Sequence, residues 1–166
     1  MSPPGGPKDE TPPKLLKVIP PNGTTYFDHN KVELFFSEYL DEASIERSVT
    51  ILPFLNQKPD ITFRGSKFII RFPDSLSNNQ TYIISISRDL SDEHKVKLSQ
   101  GIQVAFSTGP QIDQGEISGL VDYEKEASLN LWKINDRQDS LSFYKRTPDY
   151  VIDASTEGAY KFKFLS

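Results

Sequence analysis

The sequence predicts an all-β chain: a tether at residues 1–13, an antiparallel sandwich at 14–109, a linker at 110–114 and a second β module at 115–166. Three observations lead there. Val32, Leu34 and Phe36 alternate with Lys31, Glu33 and Ser37, the period-two pattern of a strand with one face buried. Seven such short runs, separated by turn signals at close and regular spacing, fill the first 109 residues. A further set of alternating runs begins at Gly115.

In chain order, Ser2 to Pro13 is rich in proline and glycine, so it reads as an extended, solvated tether in which nothing packs. Lys14 to Ile19 is the first apolar run. Pro20-Pro21-Asn22-Gly23 closes it, and a run bounded in that way belongs at a sheet edge. After the strand at 32–36, Ser37 to Ile45 reads as a loop entering a short helical turn, with Asp41 as N-cap of a segment through Arg47. Val49 to Leu52 is a third strand, ended by Pro53.

Asp60 to Phe63 and Lys67 to Phe72 flank Arg64-Gly65-Ser66, where a hairpin needs the backbone freedom of glycine. Phe68, Ile70 and Phe72 then face inward, and Leu76 tucks back toward the core. Tyr82, Ile84 and Ile86 form the inner face of the sixth run. Ile102, Val104 and Phe106 form that of the seventh, which stops at Thr108-Gly109-Pro110. In the second module, 117–122, 127–132, 150–152 and 159–164 carry the strand pattern.

The totals describe a globular chain: 166 residues, 36% hydrophobic, 25% charged, 12 prolines and a net charge of −4. The first 109 residues hold 12 basic and 13 acidic side chains and the rest 7 and 10, so neither part is basic overall and nucleic acid is not an expected partner. The absence of cysteine excludes disulfides, zinc-thiolate sites and thiol catalysis, and tilts the expected compartment slightly toward the bacterial envelope. No apolar run approaches the roughly 20 residues of a membrane span, and no signal peptide precedes the domain, so Met1 is read as the start of a trimmed piece.

Pro12-Pro13 before the first strand, Pro20-Pro21-Asn22-Gly23 after it, Phe36-Ser37-Glu38 with Leu40-Asp41, the Leu76 to Tyr82 spacing and the terminal Phe106-Ser107-Thr108-Gly109 together resemble the bacterial Ig-like domain of surface and lipoprotein chains. The resemblance implies an antiparallel Ig-like sandwich, with Tyr82 as a tyrosine corner whose ring is buried and whose hydroxyl bonds nearby backbone. Ile117-Ser118-Gly119-Leu120-Val121 and Thr156 to Phe162 are similar to the carboxypeptidase-regulatory-like or transthyretin-like β-sandwich. On that likeness the second module is incomplete at Ser166 and leaves an open sheet edge. Gly5 to Pro13 resembles the tether that follows the lipidated cysteine in Bacteroidetes lipoproteins, which implies a lipid anchor in the parent protein and an outer-membrane location.

Candidate chemistry is sparse. Asp89, Asp92 and Glu93 share one loop and could hold calcium, but the segment lacks the ligand alternation and glycine of a dedicated calcium loop. Glu38, Asp41 and Glu42 are a second acidic group, explained by cap and surface roles. His29 and His94 lack a second ligand at helical or strand spacing, and neither His-Glu-x-x-His nor Gly-x-Ser-x-Gly occurs. No catalytic residue, cofactor or metal is therefore assigned. Trp132, Tyr144 and Tyr150 mark a candidate interaction surface, with Trp132 read as sealing the junction between the modules ahead of a sugar-stacking role with Phe143 nearby. Asp74-Ser75-Leu76 and Asp139-Ser140-Leu141 resemble short glycosylation sites of exported Bacteroidetes proteins. The expected function is a non-catalytic stalk or docking module with an envelope protein as partner. A glycan held by the C-terminal aromatics is the alternative.

Overall fold

A computed structural model describes residues 10–73, 76–121, 127–132, 134, 142–145, 150–154 and 158–164. The described residues between 10 and 109 form the expected sandwich. One sheet contains β1 (Leu15–Ile19), β2 (Lys31–Phe36), β5 (Lys67–Arg71) and β4 (Asp60–Arg64) in that spatial order. The other contains β3 (Val49–Leu52), β6 (Thr81–Ile86) and β7 (Ile102–Ser107), and every ladder in both sheets is antiparallel.

The inward triplets meet between the sheets. Val32, Leu34 and Phe36 from β2, Phe68 and Ile70 from β5, and Tyr82, Ile84 and Ile86 from β6 are all buried in one cluster. Phe27, Phe72 and Tyr82 gather around Phe106, with centroid distances to its ring of 4.1, 5.1 and 5.5 Å in that order. Burying a side chain of this size is worth about 1.5–3 kcal/mol, so these rings carry much of the driving force. Leu76 packs against the same cluster, as its spacing from Tyr82 predicts. The Tyr82 hydroxyl accepts the backbone amide of Ser77 at 2.8 Å, the geometry of a tyrosine corner.

β1 is an edge strand, but its alternation is broken by a bulge. Leu15 faces Phe36 and Lys17 faces Phe35, which leaves Leu16 unpaired and exposed. The bulge turns Leu15 and Val18 toward the core although they are three residues apart. The tether reading needs one correction: packing begins at Pro13, which is buried, because Lys14 and Ser37 exchange hydrogen bonds that draw the chain onto the sandwich.

After β1 the chain crosses to the other sheet and covers the free edge of β7. Gly23 donates to the Ala105 carbonyl at 2.8 Å, the Asn22 side-chain carbonyl accepts the Ala105 amide at 2.8 Å, and Phe27 donates to Ser107. The Asn22 side chain thus takes the place of a strand carbonyl, and an edge open to foreign strands is closed by the chain itself. Between β2 and β3, Asp41 is the N-cap residue of α1 (Glu42–Ser48) by position, but its side chain makes no capping hydrogen bond. α1 is held instead through Ser44, whose hydroxyl accepts the Ser91 amide at 3.0 Å and donates to the Asp41 carbonyl at 2.7 Å.

In the span of the expected second module, the described residues carry two antiparallel ladders. β8 (Gly115–Val121) pairs with β11 (Gly158–Phe164) over seven positions, and β9 (Ala127–Leu131) pairs with β10 (Tyr150–Ala154) over five. The inner pair in sequence is nested within the outer one. No helix among the described residues is long and apolar enough to cross a membrane.

Candidate functional site

The loop that suggested calcium disperses its carboxylates. Asp92 is 1% exposed; its Oδ1 accepts the Val96 amide at 2.8 Å while Oδ2 is buried without a hydrogen-bond partner. Asp89 is exposed and bonded to Lys97 Nζ at 2.7 Å, and Glu93 faces solvent. Among the described residues no three histidines, aspartates or glutamates converge on one point. Asp92 is read more simply as the residue that shapes the turn, since Lys95, at φ +67, donates its amide to the Asp92 carbonyl.

The second acidic group is similarly divided. Asp41 meets Lys95 Nζ at 2.8 Å, and that hydrogen bond is the first cause holding its carboxyl below the usual range. The pair ties the helix entrance to the 91–97 loop, which Leu40 and Asp92 already join by an antiparallel bridge. Glu42 begins the helix and complements its N-terminal dipole. His29 stacks edge-on against Phe27 at 5.7 Å, whereas His94 lies exposed on the 91–97 loop. These groups build corners of the fold, and the two histidines belong to different loops.

The junction between the modules is more elaborate than a linker at 110–114 predicts. Thr81 Oγ1 donates to the Asp113 carboxylate at 3.0 Å and accepts the Asp113 amide at the same distance, so one buried hydroxyl clasps the segment twice. On the same outward side of β6, Ile83 is buried with Leu52, and Ala105 and Leu131 pack against them. Leu131 ends β9, so a side chain of the second module covers the outer face of the three-stranded sheet. This explains why β6 is buried on both faces although its sequence alternates. An open groove of about 470 Å³ beside the clasp is lined by Asn22, Ile83, Ala105, Ile112 and Asp113 among others.

Trp132, read from the sequence as the seal of this junction, is half-buried just beyond the end of β9, and its neighbour Leu131 packs on Leu52 and Ile83. Tyr150 opens β10 directly across the ladder from Leu131, the residue before Trp132. Tyr144 lies in the short 3₁₀ turn Phe143–Lys145, 63% exposed, with Lys145 Nζ 5.9 Å from its ring centre. Asp74, Ser75 and 139–141 of the two Asp-Ser-Leu segments lie outside the described residues. The clasp and Leu131 were not singled out in the sequence. The signal available for Leu131 was its alternation with Leu129, and for Thr81 there was none, because its partner lies 32 residues away.

Residues 9–108 match the family described as the bacterial Ig-like domain. Among solved structures, the chain is similar to the N-terminal part of the bacterial S-layer protein SbsC, at 14% identity over 72% of this chain and 29% of that one, with a TM-score of 0.42. It is also similar to domains 1–6 of the surface layer protein SbsC (15% identity, 73% and 17% covered, TM-score 0.41). A third likeness is to the native conformation of E. coli alpha-2-macroglobulin (9% identity, 93% and 12% covered, TM-score 0.43). The chain spans less than a third of the length of each, and these distant likenesses carry no functional inference. No curated protein matches the chain in sequence.

Proposed function

Because the chain belongs to the bacterial Ig-like domain family through residues 9–108, we propose that it serves as a non-catalytic module of an envelope lipoprotein, a stalk or protein-docking surface in an outer-membrane assembly. The observation that carries this reading is the clasped junction, in which Thr81 grips Asp113 twice and Leu131 covers Leu52 and Ile83. A module that presents a partner or carries load gains from a fixed relation to the next module, whereas a loose linker would dissipate it. The charged loop residues fit the same role, since Asp41, Asp89 and Asp92 hold loops together. The Pro/Gly-rich composition of 1–13 suits the spacer between a lipid anchor of the parent protein and its first folded module.

The test is fractionation of cells expressing the parent protein, followed by in-cell cross-linking. Recovery in the outer membrane with a discrete envelope protein captured is the expected result. Recovery elsewhere, or membrane recovery with no protein captured, removes the reading. The second reading, a carbohydrate module using Trp132, Tyr144 and Tyr150, is supported by the exposure of Tyr144. A glycan array comparing the native chain with Trp132→Ala and Tyr144→Ala decides it, because unchanged binding eliminates the aromatics as the binding surface.

A further inference from the structure

The outward face of the four-stranded sheet is organised into cross-strand rows. Pairing of Lys17 with Phe35, Phe35 with Lys67 and Lys67 with Arg64 aligns these four side chains across β1, β2, β5 and β4. The next row runs Ile19, Glu33, Ile69 and Thr62, and the third Lys31, Arg71 and Asp60. This one face therefore gathers five cations and only two carboxylates, although the first 109 residues as a whole are nearly balanced and the chain is net acidic. The segregation is produced by register.

The cations divide by what they do. Lys31 and Lys67 hold the two oxygens of Glu33 at 2.7 and 3.1 Å, and Arg71 bonds Thr62 and lies 3.7 Å from Asp60. Lys17 and Arg64 have no ion-pair partner among the described residues, and both are exposed. They terminate the first row, three strand spacings apart, or about 14 Å at roughly 4.8 Å per strand. Between them the Lys67 ammonium is held 5.1 Å over the Phe35 ring.

We propose that the row Lys17–Phe35–Lys67–Arg64 is a docking surface for a linear acidic polysaccharide. Charge complementarity selects an anion, and cations aligned by register across four successive strands select an extended chain of carboxylates over a compact ligand. Phe35 and Ile69 are half-buried between the cations, and Ile19, at the sheet edge, is the one exposed apolar side chain of these rows, so the face lacks the set of projecting apolar side chains with which a protein surface enters a bilayer. The proposal is independent of the stalk reading and uses a different surface from Trp132, Tyr144 and Tyr150.

Affinity electrophoresis of the whole chain through gels containing polygalacturonate tests it, with dextran as the neutral control. Retardation by polygalacturonate at low ionic strength, fading as salt screens the exposed charges, is expected. The double variant Lys17→Glu/Arg64→Glu should lose at least about tenfold in affinity, equal to about 1.4 kcal/mol. Arg88→Glu/Lys97→Glu, a matched charge change at two exposed positions between β6 and β7, should retain binding, and circular dichroism checks that each variant is folded. Undiminished binding in the double variant, equal retardation by dextran, or preference for polyglutamate or anionic vesicles over polygalacturonate overturns the proposal.

Discussion

The phenolic oxygen of Tyr82 accepts the amide of Ser77 from five residues upstream, while the Tyr82 ring lies against Phe106 at 5.5 Å. One side chain thereby fixes both the loop before β6 and the aromatic centre of the core. Tyr82→Phe keeps the ring and removes the acceptor. A loss of about 1 kcal/mol is expected, near the lower end for an amide left unpaired because that loop reaches solvent. Urea denaturation measures it as a lower midpoint at unchanged slope, and an unchanged midpoint means the hydrogen bond contributes nothing net.

Phe36 and Phe63 contrast a core position with an edge position. Phe36 is buried and stacks on Phe68 at 5.6 Å, whereas Phe63 on β4 is 41% exposed. Phe36→Ala should cost about 3–5 kcal/mol through lost transfer energy and the cavity left behind. Phe63→Ala should cost less than about 1 kcal/mol, nearer the range of surface changes. Equal losses in thermal or urea unfolding would contradict the assigned faces of the sheet.

Thr81→Val preserves the shape of the clasp but removes its hydroxyl. The Asp113 amide and carboxylate both lose their shared partner, which should cost about 1–3 kcal/mol. Local amide exchange at 110–114 should quicken along with the fall in global stability. Exchange that stayed slow would show that packing, chiefly Leu131 on Ile83, holds the junction without the clasp.

Glu33 gives the fold an acid-sensitive pair. Hydrogen bonds from Lys31 first, and Lys67 second, hold its carboxyl below its ordinary value near 4.5, and only 15% of the side chain is exposed. A depressed native pKa means the unfolded chain binds the proton more readily. The stabilisation is therefore complete above about pH 4.5 and disappears as pH falls through the native value. Glu33→Gln should be less stable than the native chain at neutral pH and should lose less on acidification. Superimposable acid limbs in the two unfolding profiles would exclude the contribution.

The local pattern of residues 14–109 contained most of the sandwich. Strand positions, inward triplets such as Val32, Leu34 and Phe36, and the inward turn of Leu76 follow from period-two alternation and from proline and glycine, which act within a few residues. The candidate calcium ligands could not be placed that way. Asp89, Asp92 and Glu93 are neighbours in sequence, yet the loop turns Asp92 inward and leaves Asp89 to Lys97. Nor could alternation choose between Leu131 and Trp132 at the junction, since it names two faces of a strand without saying what covers either.

By itself the sequence determined the fold class, the core faces of the first module and the tyrosine corner. Tertiary structure alone decided the Leu16 bulge, the Asn22 cover over β7, the double grip of Thr81 on Asp113 and the cation row from Lys17 to Arg64. The physical reason is register: these features depend on which residues of separated strands lie opposite one another, and a shift of one position would send each side chain to the other face.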